Sequence, residues 1–145
     1  MTNSWKIGPI LKRKRSHHSC ASIKDNQEHV TKVLVVGGWD DGDLNSTEIL
    51  DVEKMKFVYG PDLPIAIESP SVVVSKSGIS SSSLYIIGGY SKTKRLAGTQ
   101  LSTIYFSSSD FESWRLIGHI SKKRSLFTAF AFPSNVFNYC DLPAG

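Results

Sequence analysis

Short runs of β-branched and aromatic residues alternate along this chain with clusters of Gly, Pro, Ser and Asp. Runs of this length, bounded by turn-forming residues, are the signature of strands. No stretch carries the i, i+3, i+4 apolar stripe of an amphipathic helix, and no apolar run approaches the ~20 residues of a membrane-spanning helix. The pattern predicts strands at 19–23, 33–37, 47–52 and 56–59, then at 71–75, 84–88, 103–107 and 113–117. A further strand is expected at 126–132, and a stub at 4–7.

The same landmarks recur. V-L-V-V-G-G-W-D at 33–40 is echoed by L-Y-I-I-G-G-Y-S at 84–91, which places Gly38 and Gly89 51 positions apart. Trp5 opens W-x-x-G-P-x-L and Phe57 opens F-x-x-G-P-x-L, 52 positions later; Trp114 opens W-x-x-I-G-x-I, 57 further on. Lys14-Arg15 and Lys123-Arg124 both align with Ala66-Ile67, and Ser46-Thr47 is aligned with Ser102-Thr103. The second unit is longer between Gly89 and Leu101, where 92–98 reads as an extended polar loop. Glycine weakens a strand interior and marks close backbone approach. The pairs Gly37-Gly38 and Gly88-Gly89 therefore predict strand ends where neighbouring segments crowd together. Trp5, Phe57 and Trp114 suit wedges between sheets, each ring burying roughly 150–250 Å².

These features resemble the kelch repeat: an apolar run plus Gly-Gly, the E-I-L-D-V strand at 48–52, and an aromatic residue with Gly-Pro-x-Leu, then Lys-Arg before the next unit. The resemblance spans residues 4–132, with units at about 16–60 and 68–118, partial units at 4–8 and 125–132, and an irregular tail at 133–145. It implies an all-β fold, a partial β-propeller of about two four-stranded antiparallel kelch blades plus incomplete edge blades. Two blades leave strand edges open, so the chain reads as a fragment, or as one that needs further blades or self-association to cover them. The resemblance also implies a non-catalytic protein–protein interaction module. Roles common in the family are substrate binding for a cullin-type ubiquitin ligase adaptor and association with actin. The alternative is a truncated fragment of a propeller enzyme such as a copper-dependent sugar oxidase. That centre draws a modified Cys-Tyr pair and histidines from a complete ring, whereas here Tyr139 and Cys140 are adjacent.

Loops on a rigid scaffold usually carry contacts. The expected partner-contact loops hold Trp39, Asp40, Asp41 and Asp43 in one case, and Tyr90, Lys92, Lys94 and Arg95 in the other, one acidic and one basic.

Composition adds exclusions. The net charge of +4 sits in short clusters at 12–15, 92–95 and 122–124, a mild bias short of a nucleic-acid footprint. The tetrad Lys12 to Arg15 matches a nuclear-import signal, yet its Lys-Arg recurs in register and is assigned to the repeat. Two cysteines make no disulfide framework. The start of the chain lacks the apolar run of a secretory signal, which predicts a cytoplasmic protein. His17, His18 and Cys20 lack the second ligand pair a zinc site needs. Asp40 to Asp43 resembles a calcium loop without flanking helices, and Gly37-Gly38 lacks the Gly-Lys-Ser of a phosphate loop. No catalytic residue, cofactor or metal is expected, and the expected partner is a protein, with neither nucleic acid nor membrane involved.

Overall fold

The computed structural model describes residues 4–77, 81–93, 96–108 and 110–131. Among them the chain is all strand and turn, with no helix. The first sheet contains β1 (Ser19–Lys24), β2 (Val30–Val36), β3 (Thr47–Asp51) and β4 (Lys56–Tyr59), paired antiparallel in chain order. The second contains β5 (Ser71–Ser77), β6 (Ser81–Ile87), β9 (Thr103–Ser108) and β10 (Arg115–His119), again paired antiparallel in chain order. Between β6 and β9 lies a two-stranded hairpin, β7 (Tyr90–Thr93) and β8 (Leu96–Gln100). The expected polar loop at 92–98 thus belongs to a hairpin. Its Ser, Lys and Thr residues lack the apolar alternation that marks a half-buried strand.

Successive side chains of a strand point to opposite faces, so the pairing fixes what each sheet presents. Leu34, Val36, Thr47 and Ile49 share one face of the first sheet, its back; Val33, Val35, Glu48 and Leu50 share the front with Phe57. In the second sheet Leu84, Ile86, Tyr105 and Ser107 lie on the front, and Tyr85, Ile87, Ile104 and Phe106 on the back. The core is formed where the back of the first sheet meets the front of the second. Leu34, Val36 and Ile49 pack with Leu84, Ile86, Tyr105 and Trp114, and the connecting residues Leu63 and Ile67 complete the cluster. The Ser19 hydroxyl donates to the Pro70 carbonyl, and the Trp114 indole N–H donates to the Pro61 carbonyl at 3.1 Å, so both ends of the junction carry a polar tie.

The two Gly-Gly strand ends are equivalent hydrogen bond by hydrogen bond. Gly37 N–H donates to Ser46 O and Gly88 N–H to Thr103 O; Gly38 N–H donates to Ile67 O and Gly89 N–H to Arg124 O. Leu44 N–H and Leu101 N–H donate to Gly38 O and Gly89 O, both at 2.8 Å, while Leu63 N–H and Ile120 N–H donate to Asn45 O and Ser102 O, both at 2.7 Å. These bonds correct one alignment by a single residue: Ser46 corresponds to Thr103, and Asn45 to Ser102. A one-residue slip turns every side chain of a strand to the other face.

The glycine pairs sit where such bonds leave no room. Gly37 has φ +59, and a Cβ there would lie 2.2 Å from Ile67 O; Gly89 has φ +104, and a Cβ there would lie 2.3 Å from the Ile67 side chain. Both are left-handed positions that glycine adopts without steric cost.

Phe57 and Trp114 are both buried, whereas Trp5 is fully exposed at 102%. Residues 4–7 form no strand, so Trp5 wedges between no sheets among the described residues. Residues 126–131 likewise form no strand, although Ala129 N–H donates to the Ser71 hydroxyl at 2.8 Å. The rest of the expected strand and the tail at 133–145 lie outside the described residues.

Candidate functional site

The Gly-Gly ends of β2 and β6 point the same way and deliver two loops to one end of the stacked sheets. The first is tight. Trp39 exchanges both backbone bonds with Ser16, at 2.8 and 3.0 Å, and Asp40 N–H closes onto Gly42 O at 3.0 Å. Trp39 is left 47% exposed on the loop's surface. The second loop is the β7–β8 hairpin, anchored by two bonds between Tyr90 and Glu68, at 2.8 and 2.9 Å. Below it the buried Ser91 hydroxyl donates to Ala66 O at 2.7 Å.

The two loops are joined: the Lys92 backbone N–H donates to the Asp43 carboxylate. The first loop is also neutralised from beneath. Asp40 takes the Arg13 Nε at 3.1 Å and the Lys14 Nζ at 3.3 Å. The Arg13 hydrogen bond, with help from Lys14, holds the Asp40 carboxyl below the usual carboxylate range. The expected contrast of a free acidic loop beside a free basic one is therefore softened. Asp40 is paired, Asp43 is engaged, and of the acidic residues only Asp41 is exposed. Lys94 and Arg95 lie outside the described residues.

Beside the hairpin is a shallow cleft of ≈ 240 Å³ lined by His17, Glu68, Ser69, Tyr90, Ser125 and Leu126. Its floor has a feature that the residue types do not announce. His17, Ser69 and Leu126 have φ of 50, 50 and 55, left-handed conformations uncommon for residues with a Cβ. They are chained by Ser69 N–H to His17 O at 2.8 Å and Leu126 N–H to Ser69 O at 3.3 Å. Each stands at the same step of successive units, where the chain turns from one unit into the next. None is glycine, so their residue types do not mark the left-handed conformation.

The tetrad at 12–15 has assigned structural partners. Arg15 and Glu48 form a fully buried ion pair at 2.6 Å. Arg15 Nη1 also donates to Gly37 O and Ser46 O, at 2.8 and 3.0 Å, while Glu48 accepts the Lys12 and Arg13 backbone N–H groups at 2.6 and 3.0 Å. Among the described residues no group of three or more His, Cys, Asp or Glu side chains could hold a metal, and Cys20 is an exposed free thiol. No helix among them is long and apolar enough to cross a membrane.

No protein-family model matches the chain, and no curated protein matches it significantly.

Proposed function

We propose that the chain is a non-catalytic protein-interaction module of kelch type, its two sheets standing as adjacent propeller blades. The partner docks on the loop end formed by Trp39 and the β7–β8 hairpin. The observation that carries this reading is the bond-for-bond equivalence of the two Gly-Gly strand ends. It makes the loops variable additions to a repeated frame, and such loops carry recognition. The exposed Trp39 on this loop end offers the large, rigid contact area typical of interaction hot spots. By the kelch resemblance the partner is a protein, with ubiquitin-ligase substrates and filamentous actin the first classes to try. A cytoplasmic setting accords with both.

The test compares two variants of the whole chain expressed in cells and cross-linked to their neighbours. Trp39→Ala alters the loop end, whereas Met55→Ala alters an exposed turn at the opposite end of the strands. A cross-linked partner lost with Trp39→Ala and kept with Met55→Ala supports the reading. Identical partner sets for both variants refute it. Co-sedimentation with purified actin filaments then decides between the two partner classes.

A further inference from the structure

We propose that Ser16 is phosphorylated by a serine kinase that reads basic residues, and that Ser125, its counterpart in the third unit, is a second site of the same kind. The bonds at the unit junctions fix the correspondence. Gly38 N–H donates to Ile67 O and Gly89 N–H to Arg124 O, while Ser69 N–H donates to His17 O and Leu126 N–H to Ser69 O. The residue between these landmarks is Ser16 in the first unit, Glu68 in the second and Ser125 in the third. Ser16 and Glu68 make the same backbone pair: Ser16 exchanges both bonds with Trp39, and Glu68 exchanges both with Tyr90. The second unit thus carries an acidic side chain where the first carries a hydroxyl, so an acidic group fits this position without loss of the frame.

The basic residues accompany the hydroxyl. Arg13-Lys14-Arg15 directly precedes Ser16 and Lys122-Lys123-Arg124 directly precedes Ser125, whereas Ile65-Ala66-Ile67 precedes Glu68. No other serine or threonine of the chain follows three basic residues. Kinases select substrates by charge patterns of this kind. The pattern is presented at the surface. Ser16 is exposed, the Lys14 and Arg13 side chains are 87% and 46% exposed, and residues 11–15 lie in no strand. Lys122, Lys123 and Arg124 are exposed as well, again outside any strand. Arg15 is buried with Glu48, so recognition of Ser16 falls to Arg13 and Lys14.

The phosphoryl donor is ATP. The Ser16 Oγ bonds to the γ-phosphorus as the bond from that phosphorus to ADP breaks, and the hydroxyl proton passes to the kinase's catalytic base. The product carries roughly −1.5 to −2 of charge. It stands beside Arg13 and Lys14, which hold Asp40 at 3.1 and 3.3 Å. The Ser16 hydroxyl donates to Trp39 O at 3.3 Å, and the esterified Oγ has no proton left for that carbonyl. The phosphate therefore competes with Asp40 for both cations and removes one tie at the foot of the Trp39 loop. Control of partner binding by this step rests on the docking proposed at Trp39; the phosphorylation itself does not.

The folded 145-residue chain is incubated with ATP and the catalytic domain of a basic-directed serine kinase, and phosphates are mapped by mass spectrometry. Ser16→Ala, Ser125→Ala, Lys14→Gln and Lys123→Gln are treated alongside, each checked for unchanged strand circular dichroism. Wild type is expected to take a phosphate at Ser16 and another at Ser125, and each alanine variant to lose its own. Each glutamine variant is expected to lower kcat/KM at the adjoining serine by about tenfold, the worth of one charge-assisted hydrogen bond. Glu68→Ser, which no basic residue precedes, is expected to gain no new site. An unmodified chain overturns the proposal, as does phosphate that enters only after the chain is heated or that accumulates at other serines. Phosphate at one of the two serines alone overturns the shared-position argument, and rates that the lysine changes leave within about twofold overturn the basic readout. The Trp39→Ala comparison tests the docking reading separately, so either can fail without the other.

Discussion

Replacing Glu48 by alanine removes the acceptor around which the first sheet's entry segment is organised. The carboxylate takes a guanidinium N–H of Arg15 at 2.6 Å and the backbone N–H groups of Lys12 and Arg13 at 2.6 and 3.0 Å. Both side chains of the ion pair are fully buried. Without Glu48 the guanidinium keeps Gly37 O, Ser46 O and the Ser46 hydroxyl, but its charge is left uncompensated inside the protein. Removing one partner of such a pair costs about 3–5 kcal/mol, a large part of the ~5–15 kcal/mol that holds an ordinary domain together. The Lys12 and Arg13 N–H groups, aimed at that fully buried carboxylate, lose their acceptor as well. The second unit supplies the control. Arg15 corresponds to Ile67 and Glu48 to Tyr105, and that apolar pair lies in the core. The double variant Arg15→Ile plus Glu48→Tyr copies it and is expected to fall within about 1 kcal/mol of wild type, since buried ion pairs are often replaceable by packed apolar groups. Urea unfolding followed by the fluorescence of buried Trp114, with protein concentration fixed across variants, reads the cycle. With a slope of roughly 2 kcal/mol/M, Glu48→Ala lowers the midpoint by about 2 M. A loss under 1 kcal/mol for Glu48→Ala, or a double variant as unstable as the two single changes added, refutes the reasoning.

Three further expectations follow from the packing. Gly37→Ala and Gly89→Ala each force a Cβ against Ile67 in a left-handed conformation and should cost about 1–3 kcal/mol or more, lowering the melting temperature by several degrees, while Gly8→Ala, with open space around it, should not. Trp114→Phe keeps most of the ring but forfeits the bond to Pro61 O, so calorimetry should show a loss of about 1 kcal/mol. Burial raises the Tyr105 phenol above its ordinary value of 10.0, so the folded state holds that proton more tightly than the unfolded chain does. The stability this confers is complete below pH 10 and is lost as pH rises through the raised value; Tyr105→Phe should flatten that alkaline limb of a stability profile.

The eight strands of the two sheets were legible because Val, Ile and aromatic runs bounded by turn residues have few alternatives. The β7–β8 hairpin was not, since its strands pair with each other and its Ser, Lys and Thr residues show no apolar alternation. The run at 126–131 has strand-like residues, but its bond to β5 runs through the Ser71 side chain, and no backbone ladder pairs it with a strand among the described residues. Arg15 stands in a basic cluster of the sequence, and its partner Glu48 lies 33 positions away, in β3, where no local pattern announces it. Of the candidate site, Trp39 and Tyr90 were found through the Gly-Gly pattern that precedes them. The bond between Lys92 and Asp43 joins residues 49 positions apart, and local sequence carries no trace of it.

The hairpin also shows where this repeat tolerates change in length. Corresponding positions are 51 apart at the glycine pairs, Gly38 and Gly89, and 57 apart at Phe57 and Trp114. The whole excess is taken up between β6 and β9, whose ends stay bonded as their counterparts in the first sheet are. Foreign peptide grafted into the hairpin beyond Lys92 would therefore be displayed at the loop end that carries Trp39, with the Ser91–Ala66 and Lys92–Asp43 bonds kept.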